Sequence, residues 1–323
     1  MSKNNDTRNT IPVFFAVDDI YAPYLAVALR SITENVKGSE NIIAYILIEE
    51  LSQTNRDKLL SLECEKLSIE FVNVSEKLQT MGGSLHLRDY YTAATYYRFF
   101  IPEMFPEYDK GLYLDCDITV TGDIAELFNT ELGDNLIGAV TDEVITDIPI
   151  FTDYAQQFLG VEKQNYFNAG ILVMNLKELR RINIEKALAS LMERYEFTVA
   201  QDQDYLNILC SGRTKYLDQK WNKTAFPGCD RKKVPAIVHF KINWKPWHYK
   251  NVAFEEYFWR YAEKTPYYNQ LLKQREKYSE RERKRDASQY EGLKALAESE
   301  IKKAQSPDYI LPIKYSILAG EVQ

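Results

Sequence analysis

The chain has 323 residues, 45% of them hydrophobic and 13% aromatic, enough apolar matter for one large or two medium globular domains. A formal net charge of −7 argues against a protein built to neutralise nucleic-acid phosphates, which needs a basic surface. Cys64, Cys116, Cys210 and Cys229 show no CxxC spacing, the start is polar and no apolar run approaches roughly 18 residues, so neither a disulfide scaffold nor a membrane span is expected.

In chain order, IPVFFAV from Ile11 to Val17 is an apolar, β-branched and aromatic run that predicts a strand, and YAPYLAVALRSITENV carries apolar residues at helical spacing. NIIAYILI predicts a second strand, SQTNRDKLLSLECEKL a helix capped by Ser52 or Thr54, and SIEFVNV a third strand. Such alternation predicts an α/β fold, a Rossmann-like, mostly parallel sheet flanked by helices. Ligands of such sheets sit beyond the carboxyl ends of the strands, where Asp18, Asp19, Asp115 and Asp117 fall. NLIGAV and AGILVMNL read as further strands, QDQDYLNILC opens a helix on acids that suit its positive end, and the sheet is expected to run to about Phe240.

GLYLDCDITV sets two carboxylates either side of Cys116 at the end of an apolar run. Unpaired buried charge costs several kcal/mol, so a cation, water or a reaction must meet them. A strand period of two sends Asp115 and Asp117 to one side, where paired oxygen ligands suit Mg²⁺ or Mn²⁺ and hence a diphosphate substrate. Two solvated strand-end acids are the plain alternative. LYLDCDIT also fits the D-x-D-x-T of haloacid-dehalogenase-like phosphatases, with Asp115 as nucleophile and Asp117 as general acid. That pattern usually sits on the first strand of its domain, and three strand candidates precede it here.

Five blocks in order, FFAVDDIYAPYLAVALRSI, TYYRFFIPEMFPEYDKGLYLDCDITV, YFNAGILVMNLKELRR, QDQDYLNIL and VHFKINWKPWH, resemble the family 8 glycosyltransferases. These are retaining nucleotide-sugar enzymes that include bacterial lipooligosaccharide galactosyltransferases and glycogenin. The resemblance covers most of Ile11 to His248. It implies a GT-A fold, a UDP-hexose donor (galactose or glucose), a saccharide, lipid-linked glycan or glycoprotein acceptor, and Mn²⁺ with Mg²⁺ as second candidate. Asp18 resembles the acid that meets uracil, with Tyr21 stacking nearby, and Arg98 the arginine that reaches the donor sugar and phosphates. Asn168, Asp202 and Gln203 resemble the residues that hydrogen-bond the sugar hydroxyls. Asp115, Asp117 and His239 resemble the metal ligands, and Lys245 the lysine that neutralises the leaving diphosphate. The family often has a polar residue where Ile20 stands and a small one where Ile242 stands.

Retention is expected either by same-face substitution beside Gln203 or through a covalent intermediate on Asp202. A catalytically silent glycan or nucleotide binder that kept the fold is the alternative from another class. Trp244 and Trp247 are expected to pack, and His86 and His248 carry no assignment.

The expected division is a flexible N-terminus at 1–10, a GT-A domain at 11–265 and a charged helical C-terminal appendage at 266–323. Lys273 to Arg285 carries seven basic against three acidic residues. That run is either a solvated helix laced with ion pairs or, with YILPIKYSIL, a dock for an anionic membrane face or a partner enzyme. The expected location is the cytoplasm, in the second case on the inner face of the cell membrane, with no nucleic-acid partner.

Overall fold

The structure, a computed structural model, describes residues 9–81, 93–232 and 234–314. Most of the expected N-terminal segment, His86 and the end of YILPIKYSIL lie outside the described residues. The strands are β1 (Thr10–Ala16), β2 (Asn41–Ile48), β3 (Leu67–Asn73), β4 (Lys110–Leu114), β5 (Ile118–Val120), β6 (Ile137–Thr141), β7 (Phe167–Asn175), β8 (Thr214–Tyr216), β9 (Lys223–Thr224) and β10 (Ile237–His239). They form a seven-stranded sheet in the order β3-β2-β1-β4-β7-β6-β8 and a three-stranded sheet in the order β5-β10-β9. The large sheet is mixed: β1, β2, β3 and β4 run parallel, and β7 runs antiparallel to both β4 and β6.

The alternation of strand side chains makes two cores. Val13 and Phe15 enter the cluster on one face, Phe14 the cluster on the other, and Leu112 and Leu114 part from Tyr113 in the same way. Both faces are covered, so β1 and β2 read as almost unbroken apolar runs. Helix Ala22–Asn35 starts on Pro23, buries Leu25, Leu29 and Ile32 on the first face, and is tied by Asn35 Nδ2 to the Tyr261 hydroxyl at 2.7 Å. Ser52 is the N-cap of helix Gln53–Leu60, its hydroxyl accepting from Asn55 N. β1 pairs with β2 on one side and β4 on the other, so the strand order reverses there and a crevice opens beyond Ala16 and Leu114.

Two expectations change. The D-x-D lies just beyond the carboxyl end of β4, as expected, but is not itself extended, so a strand period does not set its side chains: β4 stops at Leu114, and Asp115 to Asp117 form a bend that carries the chain from the large sheet into β5 of the small one. The sheet also does not run on to Phe240, because β10 pairs with β5 and β9. The change of sheet is what brings the two acids and His239, at the end of β10, to one point.

The C-terminal region forms helices Tyr268–Lys277 and Glu280–Ala304, with a corner at Tyr278 and Ser279. Ser279 and Glu282 form a capping box that starts the second helix. Ala297 and Ile301 join the second core, and Tyr290 meets Phe151 with ring centroids 6.4 Å apart. The basic run is thus split over two helices, with Arg275 over the Trp259 ring and Arg283 over Tyr249. Among the described residues no helix is long and apolar enough to cross a membrane.

Candidate active site

All ten residues expected from the sequence to bind metal, nucleotide or sugar line one cavity of about 760 Å³, within the roughly 300–1,000 Å³ of small-molecule clefts. At its floor the ligand atoms of Asp115, Asp117 and His239 lie within 4.8 Å of one another. His239 Nε2 is 3.1 Å from Asp117 Oδ1 and 3.6 Å from Asp115 Oδ2. Gly170 permits this approach, since a Cβ there would collide with His239 and Asp115. Asn222 Oδ1 sits 3.0 Å from His239 Nδ1, a contact that orients the imidazole with Nε2 toward the acids. Two carboxylates and an oriented imidazole fit a divalent cation.

Lys245 ion-pairs with Asp117 Oδ2. Burial works against the Asp117 carboxylate, but Lys245 and His239 outweigh it and hold its pKa well below the usual range. The loop between β10 and Lys245 contains Ile242 at φ 56°, a left-handed conformation that costs a β-branched residue about 1–2 kcal/mol and that a glycine would adopt freely. Trp247 behind the loop is buried and stacks on Tyr24 with centroids 3.9 Å apart, so its role is packing.

The opposite side of the floor is an amide and carboxylate network. Asn168 Nδ2 donates to Gln203 Oε1 at 3.0 Å and to Asp142 Oδ2 at 2.8 Å, and Ala169 N donates to Gln203 Oε1 at 3.0 Å. Asn222 Nδ2 donates to Asn168 Oδ1 at 2.8 Å, joining this network to His239. Gln203 and Asp202 begin helix Asp202–Leu209, entered through Gln201 at φ 48°, ψ −114°, a backbone state outside the usual regions. Asp204 points away into the second core and accepts from the Tyr154 and Tyr166 hydroxyls at 2.9 and 2.6 Å; burial pushes its carboxyl up to about 6.

Arg98 is 4% exposed and lies 4.2 Å over the Tyr113 ring. Its Nη2 donates to Asp115 Oδ1 at 3.3 Å and its Nε donates to Thr95 O at 2.9 Å. Nε is also 3.2 Å from Asp202 Oδ2, close enough to pair but not aligned for a hydrogen bond. Burial pushes the Asp202 carboxyl up to about 7, with Arg98 pulling the other way. At the far end, Asp18 Oδ1 accepts from Tyr21 N at 2.9 Å. Asp19 does not join the site as expected: its carboxylate accepts from Ser52 and Asn55 and serves the β1–β2 edge.

Sequence reasoning missed Asp142, Lys241 and Asn222. Asp142 caps the helix after β6, accepts from Lys241 Nζ at 2.8 Å and holds both Asn168 and Gln203. Burial raises its pKa, and Lys241 with these hydrogen bonds more than reverses that. The signal was present, since Asp142 stands one residue beyond the apolar NLIGAV, much as Asp115 follows GLYL. Asn222 has no sequence signal. His248, left unassigned, stacks on Tyr278 with centroids 4.0 Å apart and its Nε2 lies 3.2 Å from Gln274 Nε2; burial and then Lys245 lower its pKa to about 4.

A mixed α/β sheet with this acid, acid and imidazole floor at its switch point defines a GT-A-type transferase. The chain belongs to glycosyl transferase family 8, whose description matches residues 12–251. It is 30% identical over 255 residues to a protein of Haemophilus influenzae named as a glycosyltransferase, covering 75% of this chain and 74% of that one. It is 26% identical over 283 residues to the lipopolysaccharide 1,2-glucosyltransferase of Escherichia coli, covering 80% of this chain and 81% of the other. Among solved structures, the galactosyltransferase LgtC with donor and acceptor sugar analogues superposes with a TM-score of 0.66 at 28% identity, over 79% of this chain and 96% of LgtC. The bifunctional glycosyltransferase WbbM gives 0.71 at 27% identity, over 84% of this chain and 52% of WbbM. The phosphatase reading falls with the family match, and with the place of the D-x-D after the fourth strand.

Proposed function

We propose that the protein transfers glucose or galactose from UDP to a hydroxyl of a saccharide or glycoconjugate, with retention, so that an α-donor gives an α-linkage. The observation that carries this reading is the convergence of Asp115, Asp117 and His239 beneath a wall holding Arg98, Asn168 and Gln203. Mn²⁺ held by the three ligands, or Mg²⁺ in its place, would supply positive charge to the departing diphosphate, and an imidazole among the ligands suits Mn²⁺ somewhat better. Lys245 adds charge on the same side, and Arg98 offers its fixed fork to the phosphates and sugar. Asp18 and Tyr21 take the uridine end.

Asn168 and Gln203 orient the hexose because Asp142 and the backbone of Ala169 already fix their amides. Gln203 is a poor nucleophile and its Oε1 already accepts two hydrogen bonds, which favours same-face substitution in which the departing phosphate helps remove the acceptor proton. Asp202 is held against Arg98, as a tether rather than a nucleophile. Residues 11–265 form the transferase domain in this reading. Of the basic run, Arg275 and Arg283 are drawn onto rings, and sedimentation with anionic vesicles at low salt tests whether the rest meets a membrane on the cytoplasmic side.

Purified protein with Mn²⁺ and either UDP-glucose or UDP-galactose should release UDP, and NMR of the product should show the α-anomer. Inertness to both donors together with turnover of a phosphomonoester would overturn the reading.

A further inference from the structure

Helix Glu280–Ala304 lies wholly outside the 12–251 span of the family match, yet it supplies one wall of the cavity. Glu282, Arg285, Asp286, Gln289 and Leu293 all line it, at spacings that put them on one helical face. A helix face turned toward protein is normally apolar. This one stays polar from Glu282 to Gln289 and becomes apolar only at Leu293.

Two of its polar members are occupied. Glu282 closes the capping box with Ser279. Asp286 Oδ2 accepts from the Tyr249 and Tyr278 hydroxyls at 2.7 and 2.6 Å, and its carbonyl accepts from Asn243 Nδ2 at 2.8 Å. The Asn243 and Tyr249 bonds fasten the helix to the segment carrying Lys241 and Lys245, and the Tyr278 bond closes the corner before it. Gln289 and the charge of Arg285 remain: Arg285 hydrogen-bonds Tyr278, but among the described residues it has no carboxylate within ion-pair distance. Beyond them the wall continues through Leu293 to Val144 and Ile145, just after Asp142, which holds Asn168 and Gln203.

Under the function proposed above, on which this inference rests, the donor is held by residues inside the family span. In that reading Arg285 and Gln289 are given no part in holding the donor. We propose that Arg285 and Gln289 bind the acceptor, a saccharide whose hydroxyls they hydrogen-bond, while Leu293 and Val144 receive an apolar sugar face. Acceptor choice is then written in a helix that lies beyond the shared transferase stretch.

The test compares full-length wild type, Arg285→Ala and Gln289→Ala by UDP release from the UDP-sugar during titration with methyl glucosides, methyl galactosides and lactose. Each variant should raise the KM for the best saccharide about tenfold, as loss of a hydrogen bond to a charged or amide group does, with Gln289→Glu recovering part of it. The KM for the UDP-sugar, measured without saccharide, should shift by less than about twofold, the split that separates acceptor binding from a general disturbance of the cleft. An unchanged saccharide KM in both variants, or a donor KM that rises in step, overturns the proposal. So does a wild type that hydrolyses the UDP-sugar but is accelerated by no saccharide of the series. A wild type that releases no UDP at all fails the transferase reading instead.

Discussion

On the cavity floor, Asp117 is met by His239 and Lys245, and Asp142 by Lys241, Asn168 and Gln203. On the C-terminal wall, Arg285 and Gln289 line the cavity with no carboxylate paired to Arg285 among the described residues. The floor holds its charges by mutual pairing among strand ends, so geometry there is fixed before any ligand arrives and changing one member disturbs several. The wall is one helix fastened through Asp286 and a few apolar contacts. Its exposed face can vary without rebuilding the floor. Donor chemistry can therefore stay constant in such a fold while acceptor choice changes.

The largest stability effect expected on the floor comes from Lys241→Met, which strands the buried Asp142 carboxylate and should cost about 3–5 kcal/mol in chemical denaturation. Combining it with Asp142→Asn should return a large part of that loss. A single variant with wild-type stability would mean the floor is not held by paired charge. Asn222→Leu removes the acceptor that orients His239 and should raise the Mn²⁺ concentration needed for half-maximal binding by about 10–100-fold. An unchanged metal titration would detach Asn222 from the site.

His248 joins the two regions, and its lowered pKa gives that joint a pH dependence. The unfolded imidazole binds a proton more tightly than the folded one, so the contribution is complete above about pH 6.5 and is lost as pH falls toward 4. Relative to His248→Phe, which keeps a ring on Tyr278, wild type should lose roughly 2 kcal/mol by pH 5. Parallel pH–stability curves for the two proteins would contradict this. On the wall, Gly292 is inside the helix with open space where a Cβ would stand, and Gly292→Ala should stabilise by about 1 kcal/mol in thermal melts. No gain would mean that this helix unfolds locally, apart from the rest of the protein.

The early strands and the residues after them were legible because apolar runs and terminal acids carry their meaning locally: β1, β2 and β3 and the Asp115/Asp117 pair could each be read within a window of ten residues, whereas the roles of Asp18 and Asp202 needed the family blocks. His239 needed the surrounding block to stand out, since a lone histidine after a strand is usually structural. The bend at Asp115 to Asp117 was not legible, because it depends on β5 leaving the large sheet to pair with β10, which lies more than a hundred residues later. Asn222 and Lys241 act through partners far apart in sequence, so no local pattern marks them. The C-terminal helix looked like a solvated, charge-rich appendage for the same reason. Its polar stripe acquires meaning only once Tyr249 and Asn243 are seen to bind it.

The central claim is that Asp115, Asp117 and His239 hold a divalent cation for a UDP-bearing donor, and Mn²⁺ binding followed by electron paramagnetic resonance in the presence of UDP tests it most directly. Wild type should sequester one Mn²⁺ per chain, and Asp117→Asn, which keeps the side-chain shape but removes its charge, should weaken that binding on the order of 100-fold or more with an unaltered circular dichroism spectrum. Equal Mn²⁺ binding by the two proteins would contradict the account.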